Sequence, residues 1–153
     1  ATIEPLHAHI DHYERMLLSN LALGVQACYR GPRLFDSEPV RDRLRHVVDW
    51  YKAHRDILEG DLIHGRRADG RDVDWMLHVD PRGVEKGMLV AFNPLAEPVT
   101  RSLRVPLYYT GLREVAEVVD EAGHVVRHAI GRDDAIELIL TVPARGMTWR
   151  VLR

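Results

Sequence analysis

The sequence has little of what several protein classes require. Cys28 is the single cysteine among 153 residues, so no disulfide can form within the chain, which is compatible with the cytoplasm. The apolar runs are short, as in Met88–Phe92, whereas a membrane-spanning helix needs roughly 20 residues. Neither sign of charge dominates, since 21 Lys and Arg oppose 23 Asp and Glu for a net charge of −2. We therefore expect neither a membrane nor a nucleic acid as partner.

The N-terminus also lacks a recognisable targeting signal. Residues 1–5 have neither the basic region nor the apolar core of a signal peptide, and Ala1 is not a methionine. A processed product or a fragment is compatible with this start. The apolar fraction of 46% is that of a folded protein, and the length suits one domain or two small layers.

Before Gly60 the apolar residues recur at helical spacing. Leu6, Ile10, Tyr13 and Leu17 form one stripe, which predicts a first helix over residues 4–18. A longer second helix begins near Asp36 or Ser37, either of which can cap it, with Pro39 in its first turn. Its stripe comprises Val40, Leu44, Val47, Val48, Tyr51 and Leu58, and Gly60 is expected to end it in the left-handed conformation. Between the helices, residues 21–25 are interpreted as a short buried strand, and Gly31-Pro32 marks a turn.

After Gly60 the period changes to two. Short apolar runs separated by Gly, Pro, Asp and Asn turns predict eight strands: residues 61–64, 73–79, 87–92, 100–105, 115–119, 125–130, 136–142 and 147–152. The prediction is an α+β protein with N-terminal helices over residues 1–60 and an antiparallel β-sandwich over residues 61–153.

One motif is typical of metal chemistry. His7-Ala-His-Ile-Asp-His12 matches the HxHxDH signature of the metallo-β-lactamase superfamily, which binds two zinc ions. That signature follows a buried strand in a longer chain, whereas these residues fit the polar faces of the first helix. We expect no metal and no cofactor, and a zinc hydrolase remains an alternative. The other histidines are expected at surface or boundary positions: His46, His54, His64, His78, His124 and His128.

Other chemical patterns are weak. Cys28 would be a nucleophile only with a base folded beside it, and a buried apolar role fits it better. Arg66, Arg67 and Arg71 are mixed with aspartates, which favours a solvated turn over a phosphate site. Composition and spacing alone therefore leave the function open.

Long stretches of the sequence resemble a known enzyme family. Residues 47–64, Val-Val-Asp-Trp-Tyr-Lys-Ala-His-Arg-Asp-Ile-Leu-Glu-Gly-Asp-Leu-Ile-His, resemble the last barrel helix and the following strand of α-galactosidase-like glycoside hydrolases. The segments Asp74-Trp-Met-Leu-His-Val-Asp and Gly87-Met-Leu-Val-Ala-Phe-Asn-Pro are similar to sandwich strands of these enzymes. A bacterial group of such glycosidases is similar also over residues 24–36, 106–112 and 143–149, so the resemblance covers almost the whole chain.

The resemblance implies a C-terminal part of a larger hydrolase. Such enzymes contain a TIM barrel of roughly 250 residues or more, of which this chain would hold the last strand and helix, followed by the complete C-terminal sandwich. Their catalytic aspartates lie on earlier strands, so no residue of this chain inherits a catalytic role. We expect the chain alone to be inactive and its sandwich to be a structural or accessory domain.

The resemblance also implies a set of substrate contacts. If residues 21–25 are the last barrel strand, then Gln26, Cys28, Tyr29 and Arg30 lie at its C-terminal mouth, facing a carbohydrate. Gln26 would bond a sugar hydroxyl, Tyr29 would stack on a sugar ring, and Arg30 would bind a hydroxyl or an acidic group. The alternative is that Tyr29 and Arg30 only pack or pair where the chain leaves the barrel.

A different class of function remains open. A stand-alone carbohydrate-binding or protein-interaction module would present a row of exposed aromatic residues. Beyond Gly60 the candidates are Trp75, Tyr108, Tyr109 and Trp149, of which the two tryptophans fall within apolar strands and are expected in the core. In the fragment interpretation, Leu21, Val25 and the first apolar stripe would lack a cover, which predicts a homo-oligomer through the helical part.

Overall fold

A computed structural model describes residues 2–25 and 31–153. The chain divides into two compact units, Ala1–Glu59 and Gly60–Arg153. The first unit is helical and the second contains all eight strands. This is the predicted α+β architecture of helices followed by an antiparallel sandwich. In the described part of the chain, no helix is long and apolar enough to cross a membrane.

The helical unit consists of a 3-10 turn and two α-helices. The turn is Leu6–His9, α1 is Ile10–Leu21 and α2 is Glu38–Leu58. The predicted stripes meet in one core made of Leu6, Tyr13, Leu17, Leu21, Val40 and Val47. The first stripe is therefore covered by α2, contrary to the expectation that it would lie against nothing.

The strand predicted over residues 21–25 is wrong. Leu21 is the last residue of α1 and is only 8% exposed, while residues 22–24 form a turn. Leu21 lies four residues after Leu17 and therefore on the same face of the helix. It extends the buried stripe, and α1 includes it. Gly24 then reverses the chain with a φ of 68°.

The two α-helices run parallel to each other. At the start of both, the Arg43 guanidinium lies 2.5 Å from a Glu14 carboxylate oxygen. At the other end, Gly24 lines one cavity with Tyr51 and Glu59 near the end of α2. Gly24 therefore lies near the end of α2 and Asp36 at its start, so the two helices point in the same direction.

The ends of α2 differ in detail from the prediction. Ser37 occupies the N-cap position with extended backbone, and Pro39 lies in the first turn, but the Ser37 side chain makes no capping hydrogen bond. Gly60 is not left-handed. The backbone N–H of Glu59 instead bonds the carbonyl oxygens of Arg55 and Ile57 and closes the last turn.

The second unit is a sandwich of two antiparallel sheets. The strands are β1 Asp61–Arg66, β2 Asp74–Val79, β3 Gly87–Phe92, β4 Val99–Pro106, β5 Val115–Val119, β6 Val125–Ala129, β7 Ala135–Val142 and β8 Met147–Leu152. The larger sheet has the order β1-β2-β3-β8-β5-β6, and the smaller pairs β4 with β7. Each strand lies within two residues of its predicted bounds.

The sandwich core lies between the two sheets. In β7, buried and exposed residues alternate, because one face packs against the larger sheet and the other meets solvent. The core is formed by Val73, Trp75, Leu77, Val79, Leu89, Ala91, Leu103, Val105, Leu107, Ala116, Val118, Ile136, Leu138, Leu140, Val142 and Leu152. Every residue of β2 is buried, His78 included, so the expectation of a surface or boundary position for that histidine is wrong.

Candidate functional site

The predicted substrate contacts Gln26, Cys28, Tyr29 and Arg30 lie outside the described residues. The segments on either side are described. Upstream, the Val25 N–H donates to the Asn20 carbonyl oxygen at 3.0 Å, and Val25 is 51% exposed. Downstream, residues 31–37 lead into α2.

The downstream segment is attached to the start of the helical unit by two contacts. Asp36 accepts a hydrogen bond from the His7 backbone N–H at 3.1 Å, and the same carboxylate oxygen lies 2.9 Å from His7 Nδ1. The hydroxyl of buried Tyr13 donates to the Leu34 carbonyl oxygen at 3.0 Å. These contacts place residues 34–36 beside the N-terminal ends of both helices.

Asp36 is held as a carboxylate. Its side chain is almost fully buried, and this burial raises its pKa. The hydrogen bonds from the His7 backbone and imidazole and the charge of that ring outweigh burial, so the pKa of Asp36 lies below its ordinary value. Sequence reasoning assigned Asp36 only as a possible helix cap, because a partner 29 positions away leaves no local pattern.

The histidine motif does not assemble a metal centre. His7 directs Nδ1 to Asp36, and His9 is exposed at the end of the 3-10 turn. Across the described ranges, no group of three His, Cys, Asp or Glu side chains is placed to hold a metal ion. The motif residues instead begin α1, with Tyr13 and Ile10 supplying its buried face.

A second polar cluster lies at the opposite end of α2. Glu59 Oε1 accepts hydrogen bonds from the Tyr51 hydroxyl at 2.9 Å and from Arg55 Nε at 2.8 Å. Together with Gly24 these three residues line a cavity of about 480 Å³. Burial and the contact with Glu59 raise the pKa of Tyr51, whereas the bonds from Arg55 and Tyr51 lower the pKa of Glu59. This cluster stabilises the last turns of α2, on the side away from Asp36.

Aspartates of the turn between β1 and β2 form ion pairs with Arg66 and Arg101. Arg66 Nη2 lies 2.9 Å from Asp69, and Arg101 Nε lies 3.0 Å from Asp72. The Arg71 backbone N–H and then Arg66 lower the pKa of Asp69, and Arg101 and then the Val73 backbone N–H lower the pKa of Asp72. The arrangement agrees with a solvated, charge-balanced turn.

The aromatic residues of the sandwich fall into two classes. Trp75 is buried in the core, as predicted, whereas Trp149 is half-buried. Tyr108 and Tyr109 are exposed on a 3-10 turn that follows β4.

No protein-family profile matches the chain, and no curated protein sequence matches it. Solved structures do match. A β-L-arabinopyranosidase of glycoside hydrolase family 27 from Geobacillus stearothermophilus aligns over 93% of this chain and 30% of its own, with a TM-score of 0.56 and 14% identity. A protein from Bacteroides fragilis, provisionally named an α-galactosidase, aligns over 94% of this chain and 28% of its own, with a TM-score of 0.55 and 13% identity.

The chain has the fold of part of an α-galactosidase-like glycoside hydrolase. It spans about 30% of the length of these α-galactosidase-like enzymes, and the alignment includes helices as well as sandwich. A debranching enzyme from Nostoc punctiforme has a similar fold, with a TM-score of 0.55 and 18% identity over 91% of this chain and 31% of its own. At these identities the likeness establishes the α-galactosidase-like fold and not a substrate.

Proposed function

We propose that this chain is the C-terminal part of an α-galactosidase-like glycoside hydrolase. One observation carries the proposal: a pair of helices that point in the same direction is followed by a sandwich, and a single alignment covers 93% of the chain. A sandwich alone is common to many functions, whereas this helical unit is what the end of an α/β barrel requires. The sandwich is an accessory domain, and the chain contains no complete active site.

The geometry of the helical unit supports a location for the substrate contacts. A barrel strand runs antiparallel to the helix that follows it, so its C-terminal end lies beside the start of that helix. In the proposed barrel that end would lie beside Asp36 and His7, which contact each other at the start of α2. The proposed contacts Gln26, Cys28, Tyr29 and Arg30 precede Asp36 in the sequence.

The roles proposed for these residues follow from their chemistry. The Tyr29 ring would pack against the apolar C–H face of a sugar, and the Arg30 guanidinium would donate paired hydrogen bonds to neighbouring hydroxyls. Gln26 would bond one hydroxyl through its amide. The reaction itself needs two carboxyl groups about 5 Å apart in a retaining enzyme, and these belong to earlier barrel strands.

The test begins with the reading frame upstream of Ala1 and uses the complete protein that it encodes. We expect roughly 250 residues or more that form a barrel, and hydrolysis of 4-nitrophenyl α-D-galactoside or 4-nitrophenyl β-L-arabinopyranoside. Tyr29→Ala and Arg30→Ala should each lower kcat/KM by roughly ten- to a hundredfold, because substrate positioning is lost. The 153-residue chain alone should hydrolyse neither substrate.

Arg132→Ala, an exposed change in a sandwich turn, is the matched control and should leave kcat/KM unchanged. Absence of an upstream barrel, or a complete protein inactive on both substrates, would contradict the proposal. In the first case the chain is a stand-alone carbohydrate-binding or protein-interaction module.

A further inference from the structure

Two adjacent tyrosines project from the sandwich. Tyr108 is 58% exposed and Tyr109 is 60% exposed, although their neighbours Leu107 and Thr110 are buried. The ring centroids are 5.2 Å apart, and the ring planes are nearly perpendicular at 89°. Large aromatic side chains are usually buried when packing alone decides their position, so two together on the surface need an explanation.

The turn that carries them is firmly held. The Thr110 hydroxyl donates to the Leu107 carbonyl oxygen at 2.6 Å and accepts from the Leu112 backbone N–H at 3.2 Å. Gly111 ends the turn with a φ of 78°, which favours glycine. Buried Leu107 and half-buried Leu112 insert into the sandwich core. The two rings are therefore presented by a rigid turn, which lowers the entropic cost of binding.

One positively charged and one negatively charged side chain lie beside the rings. The Arg113 guanidinium carbon lies 5.9 Å from the Tyr108 ring centroid, and Arg113 Nη1 lies 3.9 Å from Asp134 Oδ1. The Asp134 carbonyl oxygen accepts a hydrogen bond from the Leu107 N–H at 2.6 Å, which joins the two loops directly. Asp134 has a φ of 51°, in the left-handed region that aspartate tolerates better than most residues.

We propose that Tyr108, Tyr109, Arg113 and Asp134 form a carbohydrate-binding surface separate from the contacts proposed at residues 26–30. A pyranose ring offers an apolar C–H face to an aromatic side chain, while its hydroxyls both donate and accept hydrogen bonds. The two tyrosine rings supply the apolar contact. The Arg113 guanidinium donates hydrogen bonds, and the Asp134 carboxylate accepts them. The opposite charges balance, which suits a neutral polyhydroxylated ligand better than a nucleic acid or an acidic peptide.

The size of the aromatic surface favours a sugar over a protein. Two tyrosines exposed to this extent present on the order of 250 Å². A stable protein interface covers about 800 Å² on each partner. The chain neighbours of the rings add little apolar surface, because Leu107 and Thr110 are buried and Gly111 has no side chain. Two rings are, however, sufficient for one or two sugar units.

This inference goes beyond the proposed hydrolase function. The surface has no catalytic role and would hold a polysaccharide while another site acts on it. It can be tested with the 153-residue chain by affinity electrophoresis in native gels containing either galactomannan or pullulan. We expect migration to be retarded in at least one of these gels relative to a polymer-free gel.

Substitutions of the two tyrosines test whether the polysaccharide binds at this surface. Tyr108→Ala and Tyr109→Ala should each weaken the apparent affinity by roughly tenfold, and the double variant should abolish retardation. Tyr109→Phe keeps the ring and should retain most of the affinity. Ile139→Ala, a change at another exposed apolar residue of the sandwich, is the matched control and should have no effect. Thermal unfolding of each variant should remain close to that of the parent chain, because these side chains are exposed.

Two results would overturn the inference. The first is no retardation of the parent chain in either gel. The second is retardation that survives in the double tyrosine variant, which would place binding elsewhere. If sedimentation showed that the double variant loses only self-association, the surface would be a protein interface instead. Hydrolysis of small aryl glycosides by the complete protein should be unaffected by Tyr108→Ala, so failure of this inference is distinct from failure of the hydrolase proposal.

Discussion

At the scale of single residues, Gly65 lies directly against a core side chain. It lies in β1 where the register shifts against β2, and a Cβ built there would be 2.2 Å from ring atoms of Trp75. The absence of a side chain lets the indole lie flat over the β1 backbone. In the sequence Gly65 lies just after a predicted strand, and only the strand pairing shows why a glycine is needed there.

We predict that Gly65→Ala destabilises the sandwich by about 1–3 kcal/mol, because either Trp75 or β1 must move. Urea unfolding followed by circular dichroism measures the change. His64→Ala, an exposed substitution in the same strand, should alter the free energy of unfolding by less than about 0.5 kcal/mol. In a Trp75→Phe background the cost of Gly65→Ala should be smaller, and an equal cost in both backgrounds would contradict this account.

The contact between Asp36 and His7 connects two elements, the 3-10 turn and the start of α2. The pKa of Asp36 is lowered in the folded chain, so the contact stabilises the folded state above the ordinary carboxyl pKa near 3.8. That stabilisation is lost as the pH falls through the lowered pKa.

We therefore predict that Asp36→Asn is less stable than the parent near neutral pH and that the difference shrinks as the pH falls below about 4. Chemical denaturation at a series of pH values measures it. Asp49→Asn, at an exposed carboxylate of the same helix, should show no such pattern. His7→Ala should cost less than Asp36→Asn, because the backbone N–H of residue 7 still donates. A loss of equal size for Asp36→Asn at every pH would contradict the prediction.

Elements with a clear period and apolar runs bounded by turn residues were predictable from the sequence, whereas the apolar run directly after the α1 stripe was not. The strands around Leu77, Leu89 and Leu138 alternate or are continuously apolar between turn residues, so their bounds were found within two residues. Residues 21–25 are an apolar run too short to separate helix from strand, and Leu21 belongs to the helix because it continues the α1 stripe. The contact between His7 and Asp36 depends on the folded path and has no local signal.

For the whole molecule, self-association depends on the apolar side chains of the helical unit that remain exposed outside the covered α1 stripe. Ile3, Val25, Leu34 and Phe35 are each exposed by two fifths or more, although α1 itself is covered. In the proposed parent enzyme such residues would face the rest of a barrel. The expected self-association of the chain therefore remains a prediction, with these residues and not the α1 stripe as its basis.

We predict concentration-dependent oligomers in sedimentation velocity, weakened when Leu34→Ser and Phe35→Ser are combined. The serines remove apolar area without changing charge. Ile139→Ser, at an exposed residue of the sandwich, should leave the distribution unchanged. A chain that is monomeric over the whole concentration range would contradict the prediction.

The parallel arrangement of α1 and α2 also limits how the chain can vary in length. Residues 25–35 connect Gly24, near the end of α2, with Asp36 at its start. They must therefore span about 25 Å, the length of some 17 helical residues. The 11 residues available reach at most about 36 Å when fully extended. Deletion of more than about three residues from this connection would break the helix pair, whereas insertions would bulge outwards at little cost. Related chains should therefore differ here by added residues far more often than by missing ones.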